Sequence, residues 1–392
     1  LGASSEINYE IDSTPPTVSI SSTTTSPTNT SSIPISITFS EDVVGFTIAD
    51  INVTNGTLKN LSGSGKDYTA DLIPSSDGTV VVNFPADVTE DLAGNRNTAA
   101  PPFSINYDGT RPQGTIYLSF DRDPYNLNFL FVNVSFNEEV IGFNENDFNI
   151  TNGELLSFYS LEDGKNFQAI FTLKTDGPVT VAIPDNVVID HAGNMNQASN
   201  IISFEYDSTW PSVTINQSTT QSDPTNNQPL NFIATFSEPI IPYSFVAGDL
   251  TIEGITETPT ITVTEIAPNN ATTFNISLSG LTQSGTVVVK LLEDKVFDLA
   301  YNMNYESTST DNSVEYDITN PTVAISTSTS DTTNLSPIPI SIEFSEPVVD
   351  FDLEDITITN GTASNFSGSD DTFAAEIIPL GDGLVTVVIP SE

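Results

Sequence analysis

The chain has 392 residues, with 52 Asp and Glu against 9 Lys and Arg, a formal charge of −43, no Cys and one His. So acidic a surface repels nucleic acid and anionic lipid, and its self-repulsion opposes compaction unless bulk counter-ions or specific divalent ions condense on it. The lack of Cys excludes disulfide staples and leaves metal as the alternative brace, while 37% hydrophobic residues suffice for sandwich cores if the strands alternate.

A linker signature, Asp followed four residues later by Pro, recurs at Asp12/Pro16, Asp108/Pro112, Asp207/Pro211 and Asp317/Pro321. The Asp residues are spaced 96, 99 and 110 residues apart, the length of one small all-β domain. Residues 1–11 read as the last strand of a preceding unit, because Glu6-Ile7-Asn8-Tyr9 matches Ser104-Ile105-Asn106-Tyr107. Then come repeat 1 (12–107), repeat 2 (108–206), repeat 3 (207–316), the longest and a variant, and a truncated repeat 4 (317–392). The parent protein is thus expected to be longer at both ends. With no initiator Met, signal peptide or apolar run near 18 residues, the route of secretion and anchoring stays open.

In chain order, apolar residues alternate at Val18/Ile20 and again at Ile33, Ile35, Ile37 and Phe39, the period of half-buried strands. Between them Ser26-Pro27-Thr28-Asn29 reads as a turn. Asn55-Gly56, Asn152-Gly153 and Asn360-Gly361 predict one hairpin, and Asp77-Gly78, Asp176-Gly177 and Asp382-Gly383 another. The first repeat has about seven strands, near 17–21, 33–39, 50–54, 57–61, 67–73, 79–84 and 102–107. Seven short strands per unit without helical periodicity predict an all-β chain: tandem immunoglobulin-like Greek-key β-sandwiches in an extended array. Repeat 3 has extra residues around Thr258–Thr273, read as an extended hairpin; a special binding loop would look the same.

Three acidic features recur. The linker gives Asp12, Asp108, Asp207 and Asp317. The end of the second strand gives Glu41, Glu138, Glu238 and Glu346. An Asp-x-Ala-x-Asn-x-Asn loop gives Asp91 and Asn95, Asp190 and Asn194, then Asp298 and Asn302. Counting strands up and down returns all three to one end of each sandwich, at the junction with the preceding repeat. Converging carboxylates without a Lys or Arg partner repel one another, whereas a hard cation with six to eight oxygen ligands would turn the repulsion into coordination. Ca2+ is the expected occupant, since zinc and copper prefer Cys and His. Each feature also has a plainer reading: a turn before Pro, a charge on a strand edge, an Asx turn. A weaker set, Asp50, Asp147, Asp249 and Asp355, is read first as capping the turn before the third strand. Tyr301 stands where Gly94 and Gly193 stand in the sister loops, so either positive φ is not needed there or that junction is built differently.

The Asp-x-Thr-x-Pro linkers, the Phe-Ser-Glu-x-Val step, Phe46 to Ile51, Thr-Asn-Gly-Thr and Asp-x-Ala-Gly-Asn-x-Asn together resemble the bacterial Ig-like repeats of large secreted cell-surface adhesins, over essentially the whole chain. That resemblance implies an extracellular, calcium-rigidified extension rod, without enzymatic activity, that holds a terminal binding module away from the cell. Its partners would be the neighbouring repeats of the same chain, with no nucleic acid and no direct membrane insertion. The alternative is a subunit of an extracellular filament, sheath or surface layer, in which other copies are partners. Tyr125, Phe158, Tyr159, Tyr243 and Trp210 are scattered candidates for a carbohydrate- or protein-binding platform. The lone imidazole, His191, fills the place of Leu92 and Leu299 and reads as loop filler. Sequons such as those at Asn52 and Asn360 arise readily in so Asn-, Ser- and Thr-rich a chain.

Overall fold

A computed structural model describes residues 5–119 and 122–391. The chain divides into two compact units, residues 1–211 with 296–304 and residues 212–295 with 305–392.

In the first unit, β1 (Val18–Ser21), β2 (Ile33–Phe39), β5 (Gly56–Ser64) and β6 (Asp67–Pro74) form one antiparallel sheet in the order β1-β2-β6-β5. Facing it are β4 (Asn52–Thr54), β7 (Gly78–Asn83) and β9 (Phe103–Tyr107), ordered β4-β7-β9; β3 (Val43–Val44) and β8 (Glu90–Asp91) pair as a short ribbon. This four-plus-three arrangement is the constant-type immunoglobulin Greek key. The same order recurs with β10 (Gly114–Leu118), β11 (Phe129–Phe136), β14 (Asn166–Leu173) and β13 (Gly153–Ser160) against β12 (Asn149–Ile150), β15 (Gly177–Ala182) and β16 (Ile202–Tyr206).

The second unit repeats the pattern. β17 (Val213–Gln217), β18 (Leu230–Phe236), β21 (Thr273–Ser279) and β20 (Thr260–Glu265) face β19 (Leu250–Glu253), β22 (Gly285–Leu291) and β23 (Ser313–Tyr316). A last sheet, β24 (Val323–Ser326), β25 (Ile338–Phe344), β28 (Thr372–Pro379) and β27 (Gly361–Ser369), accompanies the pair β26 (Thr357–Thr359) and β29 (Thr386–Val388). The extra residues of the third sandwich lengthen the β20–β21 hairpin, whose connection runs over 266–272.

Alternation decides which face is buried. In β2, Ile33, Ile35, Ile37 and Phe39 are buried while Pro34, Ser36 and Thr38 are exposed. Their partners across the core are Val80, Val82 and Phe84 of the opposite sheet and its exit. The Phe39 ring meets Phe46, Tyr68 and Phe84 edge-on at centroid distances of 5.4–6.0 Å, and Phe136 and Phe344 anchor equivalent clusters.

Two expectations change. Asn55-Gly56 and Asp77-Gly78 do not turn hairpins: β4 and β5 lie in different sheets, as do β6 and β7, so both are corners where the chain crosses the sandwich. Asn55 takes φ +58° there, and a Cβ on Gly56 would lie 2.9 Å from the Ile73 carbonyl oxygen of the neighbouring strand and 3.1 Å from Val80 Cγ1 of the facing sheet, so crowding at this corner explains the glycine. The two corners brace each other, Asn55 Nδ2 donating to Ser76 O and Ser76 Oγ donating to Asn55 Oδ1, each 2.8 Å. Residues 5–11 pair with no strand among the described residues, and residues 1–4 lie outside them.

Ile35→Ala is expected to cost about 2–5 kcal/mol and Ser36→Ala no more than about 0.5. Urea denaturation of the two variants checks the facing of β2.

Candidate metal centres

The second strand delivers its glutamate by a fixed step. Phe39 is locked in the core, and Ser40 exchanges two bonds with Thr17: Ser40 N–H donates to Thr17 O (2.9 Å) and Thr17 N–H donates to Ser40 Oγ (3.0 Å). Glu41 follows with no freedom to shift register. Asn137 and Gln113 do the same before Glu138, Ser237 and Ser212 before Glu238, and Ser345 and Thr322 before Glu346.

The loop aspartate is held from within. Ala93 N–H and Asn95 N–H donate to Asp91 Oδ1 (2.8 and 2.9 Å), and Asn95 Nδ2 donates to Asp91 Oδ2 (2.8 Å) and to the Asp12 carbonyl oxygen (3.2 Å). Asn95 therefore ties loop to linker. Asn194 bridges Asp190 and Asp108 O (2.8 Å each), and Asn302 bridges Asp298 and Asp207 O (2.9 Å each). Asn97, almost fully buried, points the other way: its Oδ1 accepts from Val88 N–H and Thr89 N–H, and its Nδ2 donates to Pro85 O. It pins the loop. At each linker the Asp side chain accepts from the backbone N–H two residues on, Thr14, Thr110, Thr209 or Thr319, at 2.9–3.0 Å. The Asx turns of the plainer reading are present and leave carboxylate oxygen to spare.

These three supports bring Asp12, Glu41 and Asp91 together, with one oxygen from each within 4.8 Å of the others, and Asp108, Glu138 and Asp190 likewise. Asp207 and Asp298 meet in the first unit, and Glu238 belongs to the second. Asp317 and Glu346 are neighbouring carboxylates in the second unit, where Asp317 accepts from Thr319 N–H and Ser284 Oγ. The ion pairs Lys174–Glu154 and Lys290–Glu253 involve none of these carboxylates.

Burial pushes the Glu41 carboxyl above its ordinary value, and the charges of Asp12 and Asp91 push it further. Glu138 is raised by burial, then by Asp108, Asp190 and Asp77; Lys165 opposes this weakly, a nearby cation that the sequence reading did not include. Asp298 is raised by burial and by Asp207 against the pull of Asn302. For Asp91 burial acts upward too, but the Asn95 side chain and the N–H groups of Asn95, Ala93 and Gly94 outweigh it and leave the carboxyl lowered. The Glu138 Oε1 atom is buried without a hydrogen-bond partner.

Two groups outside the expected set belong to the junctions. Asp77 accepts from Gly109 N–H (2.7 Å) and from Thr110 Oγ1, clamping the linker to the preceding sandwich; Asp176 does so with Ser208 and Thr209. Their carboxyls are lowered, Asp77 chiefly by Thr110, and Asp176 by Thr209 and Ser208 against its burial. Asn29 N–H also donates across to Ala192 O (3.2 Å). The third loop keeps the shape of its sisters: Tyr301 takes φ +70° where Gly94 and Gly193 take +89° and +90°. That conformation is strained for Tyr, and the Arg122 guanidinium 4.6 Å from its ring centroid helps hold it.

Asp50, Asp147, Asp249 and Asp355 each accept from the N–H three residues earlier (2.6–2.8 Å), as turn caps, so their place in an ion cluster falls away. Of the scattered aromatics, Tyr125 is buried, its hydroxyl pushed by burial up to about 12, and Phe158 packs in the core; Tyr159, Tyr243 and Trp210 are exposed. No helix among the described residues is long and apolar enough to cross a membrane, which leaves membrane-crossing strands untouched.

The shifts set a sign for pH. A raised carboxyl such as Glu41 or Glu138 stabilises the fold below its ordinary 4.5 and loses that contribution as pH rises through its folded value. A lowered one such as Asp77 or Asp176 contributes above its ordinary 3.8 and loses it as pH falls further. In chelator, the melting temperature is therefore expected to rise as pH falls from 7 toward about 4.5 and to drop again below about 3.8. A scan by differential calorimetry checks both limbs.

The sequence matches the bacterial Ig-like domain family over residues 12–107, 108–206 and 317–388. No curated protein matches it. Similar solved structures include FdeC, an Escherichia coli adhesin, at 12% identity and TM-score 0.35, covering 77% of this chain and 96% of that one. Invasin, a bacterial integrin-binding protein, is similar at 15% identity and TM-score 0.34, covering 95% and 75%. Domains 1–6 of the surface layer protein SbsC are similar at 14% and 0.19, covering 96% and 64%. With more than half of its length matched, and with the four-plus-three sheet order repeated along it, this chain belongs to the bacterial Ig-like domain family.

Proposed function

We propose that the chain is a segment of a bacterial cell-surface adhesin, a non-enzymatic extension rod stiffened by calcium at its linkers, with repeats at 12–107, 108–206, 207–316 and 317–392. One observation carries this reading: a buried Glu138 oxygen without a partner among the carboxylates of Asp108 and Asp190. An oxygen-only donor set with several spare lone pairs and too little positive charge suits a hard divalent cation. Asp12, Glu41 and Asp91 would hold one ion, Asp108, Glu138 and Asp190 the next; Asp207 with Asp298, and Asp317 with Glu346, would supply ligands for further ions. Bound there, the ion would neutralise the carboxylates and tie a linker to two elements of the following sandwich.

The rest of each linker supports stiffness. Asp77 and Asn194 clamp the Asp108 linker on its two sides, Asp176 and Asn302 the Asp207 linker, and Pro fixes φ four residues after the Asp. A chain so tied has few residues left to flex. Integrin binding is a property of invasin.

Extracellular calcium modules bind with Kd of about 10⁻⁴–10⁻³ M, so about 10 mM calcium at the tighter end adds roughly 2.7 kcal/mol per site. The melting temperature is expected to fall by roughly 10 °C or more in EDTA, and the scattering profile to broaden in radius of gyration. Equal values with and without EDTA would contradict the reading. Glu138→Gln should weaken calcium binding in isothermal titration, by about one site, and leave the others. Calcium-dependent polymers in sedimentation would instead favour an assembly subunit.

A further inference from the structure

The second sandwich departs from its sisters on the outer face of its four-stranded sheet. The register places Tyr117, Asn133, Gln168 and Tyr159 in one row across β10, β11, β14 and β13. Phe131 and Ile170 form the next row, and Phe129 lies beyond. Tyr117 is 51% exposed, Tyr159 50%, Phe129 43% and Phe131 37%; Leu156, pushed out by a bulge, is 55% exposed. Core packing explains none of this, because the other face of the same strands holds Leu130, Val132 and Val134.

The matching row is Ser21, Ser36, Thr69 and Ser62 in the first sandwich, Asn216, Ile233, Asn275 and Thr264 in the third, and Ser326, Ser341, Ala374 and Ser367 in the fourth. Where Phe131 and Ile170 stand, the first sandwich has Pro34 and Asp71, and the fourth Pro339 and Glu376. Aromatic rings thus stand in these rows in the second repeat alone; the third carries amides there, Asn216, Asn231 and Asn275, without rings. The amides of the second repeat are already organised: Gln168 Nε2 donates to Asn133 Oδ1 (3.0 Å), and Asn133 Nδ2 donates to Ser119 Oγ (3.0 Å).

We infer that this face is a binding platform for an uncharged polysaccharide, whose sugar rings lie on Tyr117, Tyr159 and Phe131 and whose hydroxyls exchange hydrogen bonds with Asn133 and Gln168. The two tyrosines end a row spanning three interstrand steps, about 14 Å, long enough for a run of sugar units. Rings with amide and hydroxyl groups between them match a ligand that is apolar on its ring faces and polar on its rim. The central rows carry no charge, in a chain of net −43 that repels acidic polymers and further copies of itself. The sheet face also measures only about 440 Å², from strand spacing and rise, against the roughly 800 Å² per partner of a stable protein interface. The platform uses none of the linker carboxylates and stands independently of the calcium reading.

The test is retention of the whole chain on insoluble cellulose, chitin and β-1,3-glucan, with alginate as the acidic probe. Retention is expected on at least one neutral polymer and not on alginate. Tyr117→Ser with Tyr159→Ser should weaken it about tenfold with the melting temperature unchanged. Gln168→Ala, which keeps the rings, should weaken it less. Failure to bind any neutral polymer, equal retention by the double variant, or preference for alginate would overturn the inference. So would a dimer in sedimentation that Phe131→Ser dissolves, which would assign the face to a second copy.

Discussion

Carboxylates packed within 4.8 Å of one another need a positive charge that the protein barely supplies. Everything at the linkers follows from that deficit. The acidic groups do not scatter into solvent, because each is fixed by something else: Glu41 by the burial of Phe39 and the Ser40–Thr17 pair, Asp91 by N–H groups of its own loop, Asp12 by its Asx turn. The scaffold holds the repulsion in place rather than relaxing it, and Glu41 and Glu138 are accordingly raised. A divalent cation is the group that would convert this electrostatic cost into a brace.

The Greek key makes the arrangement repeatable. In a four-plus-three sandwich the end of the second strand and the loop before the last strand fall at the pole where the chain enters. Any linker Asp placed just before the first strand is then next to both. Specialisation is free to happen elsewhere, since the outer sheet face takes no part in this geometry. The second repeat has used that freedom, exchanging hydroxyls for aromatic rings without touching the core or the linker.

Much of this was legible in the sequence because period-two alternation and burial are the same fact read twice: the expected strands at 33–39, 67–73, 79–84 and 102–107 lie within a residue or two of β2, β6, β7 and β9. The carboxylates could be brought to one pole by counting strands. The corners at Asn55-Gly56 and Asp77-Gly78 could not be told from hairpins, because positive φ serves both and only sheet membership separates them. Asp77 read as a turn residue, and its hold on Gly109 and Thr110 depends on a contact across 32 residues or more that no local pattern encodes. Tyr301 hid the same backbone conformation behind an unsuited side chain. The aromatic row needed cross-strand register, which places Tyr117 and Tyr159 together although 42 positions separate them.

The most direct measurement is a crystal structure grown in calcium, with anomalous scattering data collected to locate it. The account predicts an anomalous peak between Asp108, Glu138 and Asp190, with carboxylate oxygens about 2.3–2.6 Å away. A peak-free site in which the same oxygens are spanned by water or by the Lys165 ammonium would contradict it.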